Sequence, residues 1–493
     1  MRLSALLDPD VTVEGAGWQE VEIRGLSADT RTLAPGMLFA ALAGAKADGR
    51  AFIEDALARG AAAVLSDATQ AGAGLAVPLV LDVSPRRRLA LMAARFYGRQ
   101  PRSVAAVTGT NGKTSVASFT RQLWAAQGLR AASLGTLGIE APGRRRGGSL
   151  TTPDPVALHA LLAELAAEGT DHLVLEASSH GLDQHRLDGV TLSAAAFTNL
   201  SRDHFDYHGS AEAYFAAKRR LFAELLPKGG IAVLNADQPE YDELAELCRG
   251  RGIEVVDFGR RARRVRLLEQ RPQGGGQRLR IAVDGRVHGF ESALAGDFQA
   301  SNLLAALGLV VATGGDPLRT LGALDRVRGA PGRLQRVGTH ASGAEVFVDY
   351  AHTPDALAKV LDALRPHVKG RLLVVFGCGG DRDPGKRPVM GQIAAERADL
   401  VVVTDDNPRS EEPARIRAAV MAGCPGAREI GDRAEAIAGA IAGLRAGDVL
   451  VVAGKGHETG QIVGDRVLPF DDAEEVRRAL ALSGGEPATE VAP

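Results

Sequence analysis

The segment Thr108-Gly109-Thr110-Asn111-Gly112-Lys113-Thr114 joins a β-like run, Val104 to Val107, to an amphipathic stretch with Val116, Phe119, Leu123 and Trp124 on helical spacing. Glycines at such a junction let backbone N–H groups close on phosphate oxygens, and the helix N-terminus adds a favourable dipole. Lys113 can reach the outer phosphates and Thr114 can ligate Mg2+. The usual phosphate loop has glycine at position 107, where this chain has Val107, so the loop is a variant. Its strand–loop–helix context sets it apart from an ordinary glycine-rich turn.

Three further residues could join that chemistry. Glu176 closes a β-like run in Leu175-Glu176-Ala177-Ser178-Ser179-His180, where a carboxylate could hold the metal of a nucleotide. Taken alone it equally fits a capping or salt-bridged carboxylate. His204 lies in Ser201-Arg202-Asp203-His204-Phe205-Asp206-Tyr207-His208, and an isolated histidine is more often a packed or surface residue than a ligand. Lys218 shares a helical stripe with Tyr214, Leu221, Phe222 and Leu225 after the N-cap Ser210, while Arg219 and Arg220 point elsewhere. Periodicity alone favours a snorkelling lysine. The alternative is a carbamate: burial disfavours the charge of an amine that ordinarily titrates near ~10.4, and the neutral amine accepts CO2 to give a carboxylate-like ligand.

The elements that must position these residues follow from the apolar runs. From residue 103 the pattern repeats strand, polar loop and helix, which predicts a parallel α/β sheet. Val104 to Val107, His172 to Leu175, Ala194 to Phe197 and Ile231 to Leu234 each end on polar residues. A second series follows: Val346 to Val348, Leu372 to Phe376, Leu400 to Val403 and Val449 to Val452. Ligands of doubly wound sheets bind beyond the carboxyl ends of the strands, so both series mark candidate sites. The first hundred residues predict a small mixed domain, with strands at Val21 to Ile23, Met37 to Ala40, Ala61 to Leu65 and Leu79 to Val83 and a helix from Phe52 to Arg59. Gln100-Pro101 and the Gly329 to Gly332 segment serve as boundaries. The Arg- and Gly-rich stretch 257–290 predicts exposed hairpins and loops, and the chain from Ser483 onward is expected to fray. The expected fold is α/β with three domains: a small mixed N-terminal domain (1–100), a central P-loop domain with a mostly parallel sheet (101–331) and a C-terminal Rossmann-like domain (332–493).

Composition narrows the function class. The 493 residues are 45% hydrophobic and 24% charged, the profile of an ordinary globular protein. Lys+Arg (58) nearly balance Asp+Glu (60) and aromatics are 4%, which argues against nucleic acid, anionic membrane and base-stacking platforms. Cys248, Cys378 and Cys424 form no CxxC pair, so neither a disulfide scaffold nor a thiolate zinc site is indicated. With no signal peptide or membrane span in the pattern, the expected address is the cytoplasm.

Taken together, the motifs resemble those of the Mur ligase family, which builds the peptidoglycan stem peptide. The resemblance covers essentially the whole chain. It rests on Asp29-Thr30-Arg31, Thr108 to Thr114, Thr151-Thr152-Pro153, Glu176 to Gly181, Tyr214 to Lys218, Gly332-Arg333, Asp349-Tyr350-Ala351-His352, Asp406-Asn407-Pro408-Arg409 and Gly454 to Glu458. It implies that Gly109, Thr110, Asn111, Gly112, Lys113, Thr114 and Ser115 bind ATP, with Asn302, Arg333, Asp349 and His352 also holding the nucleotide. Thr114 and Glu176 would serve one Mg2+, and His204 with a carbamate on Lys218 (N6-carboxylysine) a second. Lys113, Glu176, His204 and Lys218 would form the catalytic set. Thr30 and Lys46 would touch the UDP part of UDP-N-acetylmuramoyl-L-alanyl-D-glutamate, and Thr151, Thr152, Ser178, Gln184 and Arg186 its muramoyl dipeptide. Arg382, Asp406, Asn407, Pro408, Arg409, Gly454 and Glu458 would hold meso-diaminopimelate.

The resemblance also implies a monomer that joins the diamino acid to the D-glutamyl γ-carboxylate through an acyl phosphate. Leu150 and Gln299 stand where many family members have asparagine, which leaves one substrate contact and one nucleotide contact open. The competing expectations are the same ligation with lysine or ornithine, another ligase of the superfamily, and a P-loop protein that uses ATP as a switch without ligation.

Overall fold

The run Val104-Ala105-Ala106-Val107 carries no polar side chain on either face, so as a strand it needs cover on both sides. In the computed structural model it forms the strand Ser103–Thr108, buried along its whole length. The structure describes residues 1–488 apart from 10, 45–46, 69–73, 149 and 202. They gather into two compact units. One comprises Met1–Lys113, Gly128–Leu234 and Glu240–Val255, the other Thr114–Gln127, Asn235–Pro239 and Val256–Pro493.

In the first unit Ser103–Thr108 lies between two parallel neighbours, His172–Glu176 and Ala194–Phe197. Ile231–Asn235 extends the sheet beyond Ala194–Phe197, and Ala131–Gly135 extends it beyond His172–Glu176. The register pairs Glu176 with Val107 and Phe197 with Thr108, so the polar residues after each strand emerge at one edge. A second sheet orders its strands Thr12–Glu14, Leu79–Asp82, Ala63–Asp67, Met37–Ala40 and Gly25–Ser27, parallel except at the first pair. The expected strand at Val21 to Ile23 is absent. Glu22 makes only an isolated bridge with Arg2, because the partner segment coils at once into the 3-10 turn Leu3–Leu6. The nearby strand is Gly25–Ser27 instead.

The second unit contains a seven-stranded sheet. Its parallel core is Leu400–Val403, Leu372–Phe376, Val449–Ala453 and Glu345–Asp349. Leu357, Met390 and Ile416, from three helices, pack on one face, and Ile437 and Val476, from two more, on the other. Phe376 pairs with both Val403 and Ala453, and Asp349 with Ala453, so four loops begin level with one another.

The Arg- and Gly-rich stretch forms hairpins as expected, an antiparallel meander of Val265–Gln273, Gly276–Val283 and Arg286–Ser292, but it is not exposed on both faces. Its alternate residues Val265, Leu267, Leu279, Ile281 and Val283 are buried while the arginines between them face outward. Beyond Ser483, Glu486–Pro487 does not fray but pairs with Gln335–Thr339; the last five residues lie outside those described.

Candidate functional site

The glycine-rich loop follows Ser103–Thr108 and runs into the helix Lys113–Ala125. Gly109 holds φ +143°, and a Cβ there would stand 1.9 Å from the Thr198 hydroxyl, so no other residue fits. That hydroxyl donates to the Asn111 carbonyl (2.7 Å), and the Asn199 carbonyl and side-chain oxygens accept from the N–H groups of Thr110 and Asn111. The loop is thereby pinned to the end of the neighbouring strand. Lys113 Nζ donates to the carbonyls of Gly109 (2.9 Å) and Thr110 (2.8 Å).

Lys218 reaches the same loop. Its helix, Ala211–Arg220, is capped by Ser210 as the sequence predicts. Lys218 is 1% exposed, donates to the Gly109 carbonyl at 2.9 Å and lies 4.2 Å from the Tyr214 ring centroid. Burial, reinforced by the nearby Lys113 charge, pulls its amine down to about 6. Its head group reaches no solvent, so it is no snorkelling lysine, and burial favours the neutral amine. Tyr214, whose hydroxyl meets that of Thr110 at 3.1 Å, is pushed up to about 12 by burial. Of the two arginines expected to face away, Arg220 turns inward and clamps buried Asp188 with both carboxylate oxygens within 2.8 Å.

Glu176 is buried at the end of its strand and accepts from the Thr136 N–H (2.9 Å) and hydroxyl (3.2 Å). Thr151, Thr152, Ser178, Gln184 and Arg186 come together beside it. The Thr136 and Thr151 hydroxyls are 3.1 Å apart, Thr152 bonds the Glu176 carbonyl and the Ser178 hydroxyl, and Arg186 bonds the Thr152 carbonyl and the Gln184 side chain. Tyr207, which sequence reasoning missed, accepts from Gln184 and donates to Asp183. Its ring lies 4.1 Å from that of His180, which also meets His204 at 4.8 Å and His208 at 5.5 Å. His204 itself is half exposed with a left-handed φ of 53°. Thr30 belongs to a separate turn capped by Asp29, Leu150 is exposed, and Lys46 lies outside the described residues.

In the second unit the expected nucleotide residues form a chain of contacts. Asn302 donates to the Gln299 side-chain oxygen (3.0 Å) and Gln299 to the Arg333 carbonyl (3.1 Å). Gln299 thus spans the two. The Arg333 guanidinium lies 4.8 Å from the Tyr350 ring centroid. Asp349 accepts from the N–H groups of Leu334 and Ala351, and burial pushes its carboxyl up to about 6 against the pull of Arg333. His352 bonds the Tyr350 carbonyl.

A cavity of about 730 Å³ opens at the four level loops, lined among others by Tyr350, His352, Arg382, Asp406, Arg409 and Glu458. Six of the seven residues expected for the diamino acid line it; Pro408 does not. Pro408 is buried behind the wall, its carbonyl bonded by the Glu411 N–H. Glu411 pairs with Arg387 at 2.8 Å, while Arg409 donates to the Gly380 and Asn407 carbonyls and keeps a left-handed φ of 52°. One Asp406 oxygen caps the Asn407 N–H, and the other, Oδ2, is buried with no hydrogen-bond partner among the described residues. Gly454, at φ +117°, leaves room for it: a Cβ there would stand 2.6 Å from Oδ2.

Two buried cations support this wall without being among the expected site residues. Lys455 bonds Asn407, Glu458 and the Gly460 carbonyl. Arg433, paired with Asp472 at 2.7 Å and fully buried, also bonds the carbonyls of Asp405 and Ala453, which precede Asp406 and Gly454. The hairpin Gly460–Val463 with Arg466–Pro469 clasps the same loop through Ile462 and Gln461. Only the strand-end position of Lys455 hinted at this in the sequence.

Three family models match the chain: "Mur ligase family, catalytic domain" over 22–97, "Mur ligase middle domain" over 107–310 and "Mur ligase, glutamate ligase domain" over 332–456. The UDP-N-acetylmuramoyl-L-alanyl-D-glutamate–2,6-diaminopimelate ligase of Bradyrhizobium diazoefficiens is 54% identical over 485 residues, 98% of this chain and 99% of its own. The enzyme of the same name from Rhizobium meliloti is 56% identical over 461 residues, 93% of this chain and 94% of its own. A solved structure bearing that name superimposes with a TM-score of 0.73 at 36% identity, covering 96% of this chain and 97% of the other. On this similarity and the motifs it shares, the chain belongs to the Mur ligase family.

Proposed function

We propose that this chain is an ATP-dependent ligase that joins meso-2,6-diaminopimelate to the D-glutamyl γ-carboxylate of UDP-N-acetylmuramoyl-L-alanyl-D-glutamate, a step of peptidoglycan stem-peptide assembly. The observation that carries the reading is the cavity at Asp406, Arg409 and Glu458, which sets carboxylates and a guanidinium side by side. Such a wall suits the far end of diaminopimelate, which bears an ammonium and a carboxylate. Arg409 grips the carboxylate, since a planar guanidinium can bond it with two parallel N–H groups. The free Asp406 oxygen and Glu458 take the ammonium.

At the other reactant, Lys113 and the loop N–H groups hold the ATP phosphates while the γ-carboxylate attacks the γ-phosphorus and ADP departs. The diamino acid's amine then attacks the acyl phosphate, and phosphate leaves. Thr151, Thr152, Ser178, Gln184 and Arg186 orient the dipeptide for both steps, and Thr30 and Lys46 hold the UDP part. Asn302, Arg333, Asp349 and His352, all in the second unit, are the further nucleotide residues that the family resemblance implies. In this division of labour residues 1–100, 101–331 and 332–493 act as three domains, one for each reactant.

The donor types suit Mg2+: Thr114 and Glu176 would serve one ion with hard oxygens, and a carbamate on Lys218 with His204 would serve a second. When bound, the ion neutralises phosphate charge. The neutral amine of Lys218 supports the carbamate, because only an unprotonated amine adds CO2, releasing one proton.

No helix among the described residues is long and apolar enough to cross a membrane, and the three cysteines are free and buried. The cytoplasmic address and monomeric state belong to this reading through the family resemblance. The test is phosphate release by the purified chain with each reactant omitted in turn. Rapid turnover should need ATP, the UDP-dipeptide and diaminopimelate together, with the tripeptide found by mass. Phosphate release indifferent to both co-substrates would instead mark an ATP switch.

A further inference from the structure

The proposed ligation explains the cavity's lining but not the lysine sealed beneath it. Lys455 has no exposed side-chain surface, and its three N–H donors are all used. They go to Asn407 Oδ1 (3.0 Å), Glu458 Oε2 (3.3 Å) and the Gly460 carbonyl (2.6 Å). Asn407 Oδ1 also accepts from the Ile462 N–H (2.9 Å), so its amide can face only one way, with Nδ2 donating to Glu458 Oε2 at 2.8 Å. Oε2 is therefore saturated from the buried side, and Oε1 is the oxygen left for a ligand.

Charge completes the argument. The cavity is lined by three cations, Arg382, Lys386 and Arg409, and three carboxylates, Asp383, Asp406 and Glu458. The lining is balanced, and Lys455 beneath it adds one fixed positive charge. Diaminopimelate, with two ammonium and two carboxylate groups, is neutral overall; lysine carries one net positive charge.

We infer that Lys455 is a positioning residue that sets selectivity: it aims Glu458 and holds the cavity's charge at the level that admits a zwitterionic side-chain end and disfavours a cationic one. Without that ammonium the cavity loses a unit of positive charge, Glu458 loses its aim, and lysine is no longer penalised. The inference rests on the diaminopimelate reading, and its test keeps the two apart.

The experiment compares kcat/KM for meso-diaminopimelate and L-lysine, from initial rates at sub-saturating amino acid, in the full-length wild type and in Lys455→Met, Lys455→Gln and Lys455→Arg. Lys455→Met should shift the diaminopimelate-to-lysine ratio by about tenfold or more toward lysine while the KM for ATP stays within about twofold. Lys455→Arg, which keeps the charge, should hold most of the wild-type ratio. Equal falls for both amino acids, or an unchanged ratio, would overturn the inference. Should Lys455→Met fail to fold, Lys455→Gln, which is neutral but keeps two N–H donors, decides it by the same ratio. A wild type that does not ligate diaminopimelate would instead refute the underlying reading.

Discussion

The loop at Gly109 and the cavity at Asp406 handle charge in opposite ways. Around Gly109 the groups are alike: Lys113 and Lys218 donate to one carbonyl oxygen, and the buried member of the pair gives up its proton readily. Around Asp406 the groups alternate: Arg433 is matched by Asp472, Lys455 by Glu458, and Arg387 by Glu411. Like charges crowded in a dry site disfavour one another and favour whatever supplies negative charge, be it a phosphate or the carbamate that CO2 forms on the amine. Alternating charges are already satisfied among themselves, so they supply shape and orientation, and a ligand must match their pattern. The first arrangement suits activation, the second discrimination.

The strongest way to break the first arrangement is Lys218→Ala. Ligation should fall by at least about 10²–10³-fold, as when a group stabilising transition-state charge is removed. Helical content by circular dichroism should be unchanged, since alanine suits a helix. A variant with full activity would remove the carbamate from the account. Lys113→Ala should follow at about 10²-fold in ATP-dependent turnover, with binding of the UDP-dipeptide intact by calorimetry. Unchanged turnover would refute the phosphate-loop assignment.

Arg409→Ala probes the second arrangement. Losing a hydrogen-bonded charge contact costs about 2–5 kcal/mol when it is desolvated, so kcat/KM for diaminopimelate should collapse while any feeble activity with lysine barely moves. The left-handed backbone at this position is demanded of arginine and alanine alike, so strain does not confuse the comparison. Equal losses for both amino acids would show that Arg409 supports the loop rather than reading the ligand.

The smallest effect concerns Asp349, whose native carboxyl titrates near 6 against an ordinary 3.8. Between those values the native chain holds a proton that the unfolded chain has released. The stability this confers is complete below about 4 and is lost as pH rises through 6, of order 1–3 kcal/mol in all. Denaturant melts of Asp349→Asn should show that slope flattened, whatever constant offset the lost acceptor adds. A slope equal to that of the wild type would contradict the assignment.

What the sequence made legible was set by the range of the interactions. Strand ends such as Glu176 and Asp406 were readable because an apolar run followed by polar residues is a local pattern. The Lys218 helix was placed correctly for the same reason, yet periodicity alone assigned its head group to solvent, since the carbonyl it meets is 109 residues away. Arg433 was invisible because its partners, Asp405, Ala453 and Asp472, are scattered along the chain and meet only when the sheet forms. Val21 to Ile23 looked like a strand by composition, but a strand also needs a partner, and Leu3–Leu6 turns away. Pro408 showed the limit of motif reasoning: lying between Asn407 and Arg409 does not put it in the cavity wall.

The most direct measurement offers the purified chain equal concentrations of meso-diaminopimelate, L-lysine and L-ornithine together, with ATP and the UDP-dipeptide, and weighs the tripeptides formed. A cavity whose carboxylates and Arg409 together match a zwitterionic end predicts the diaminopimelate product almost alone. Predominance of the lysine or ornithine product would contradict the account at its centre.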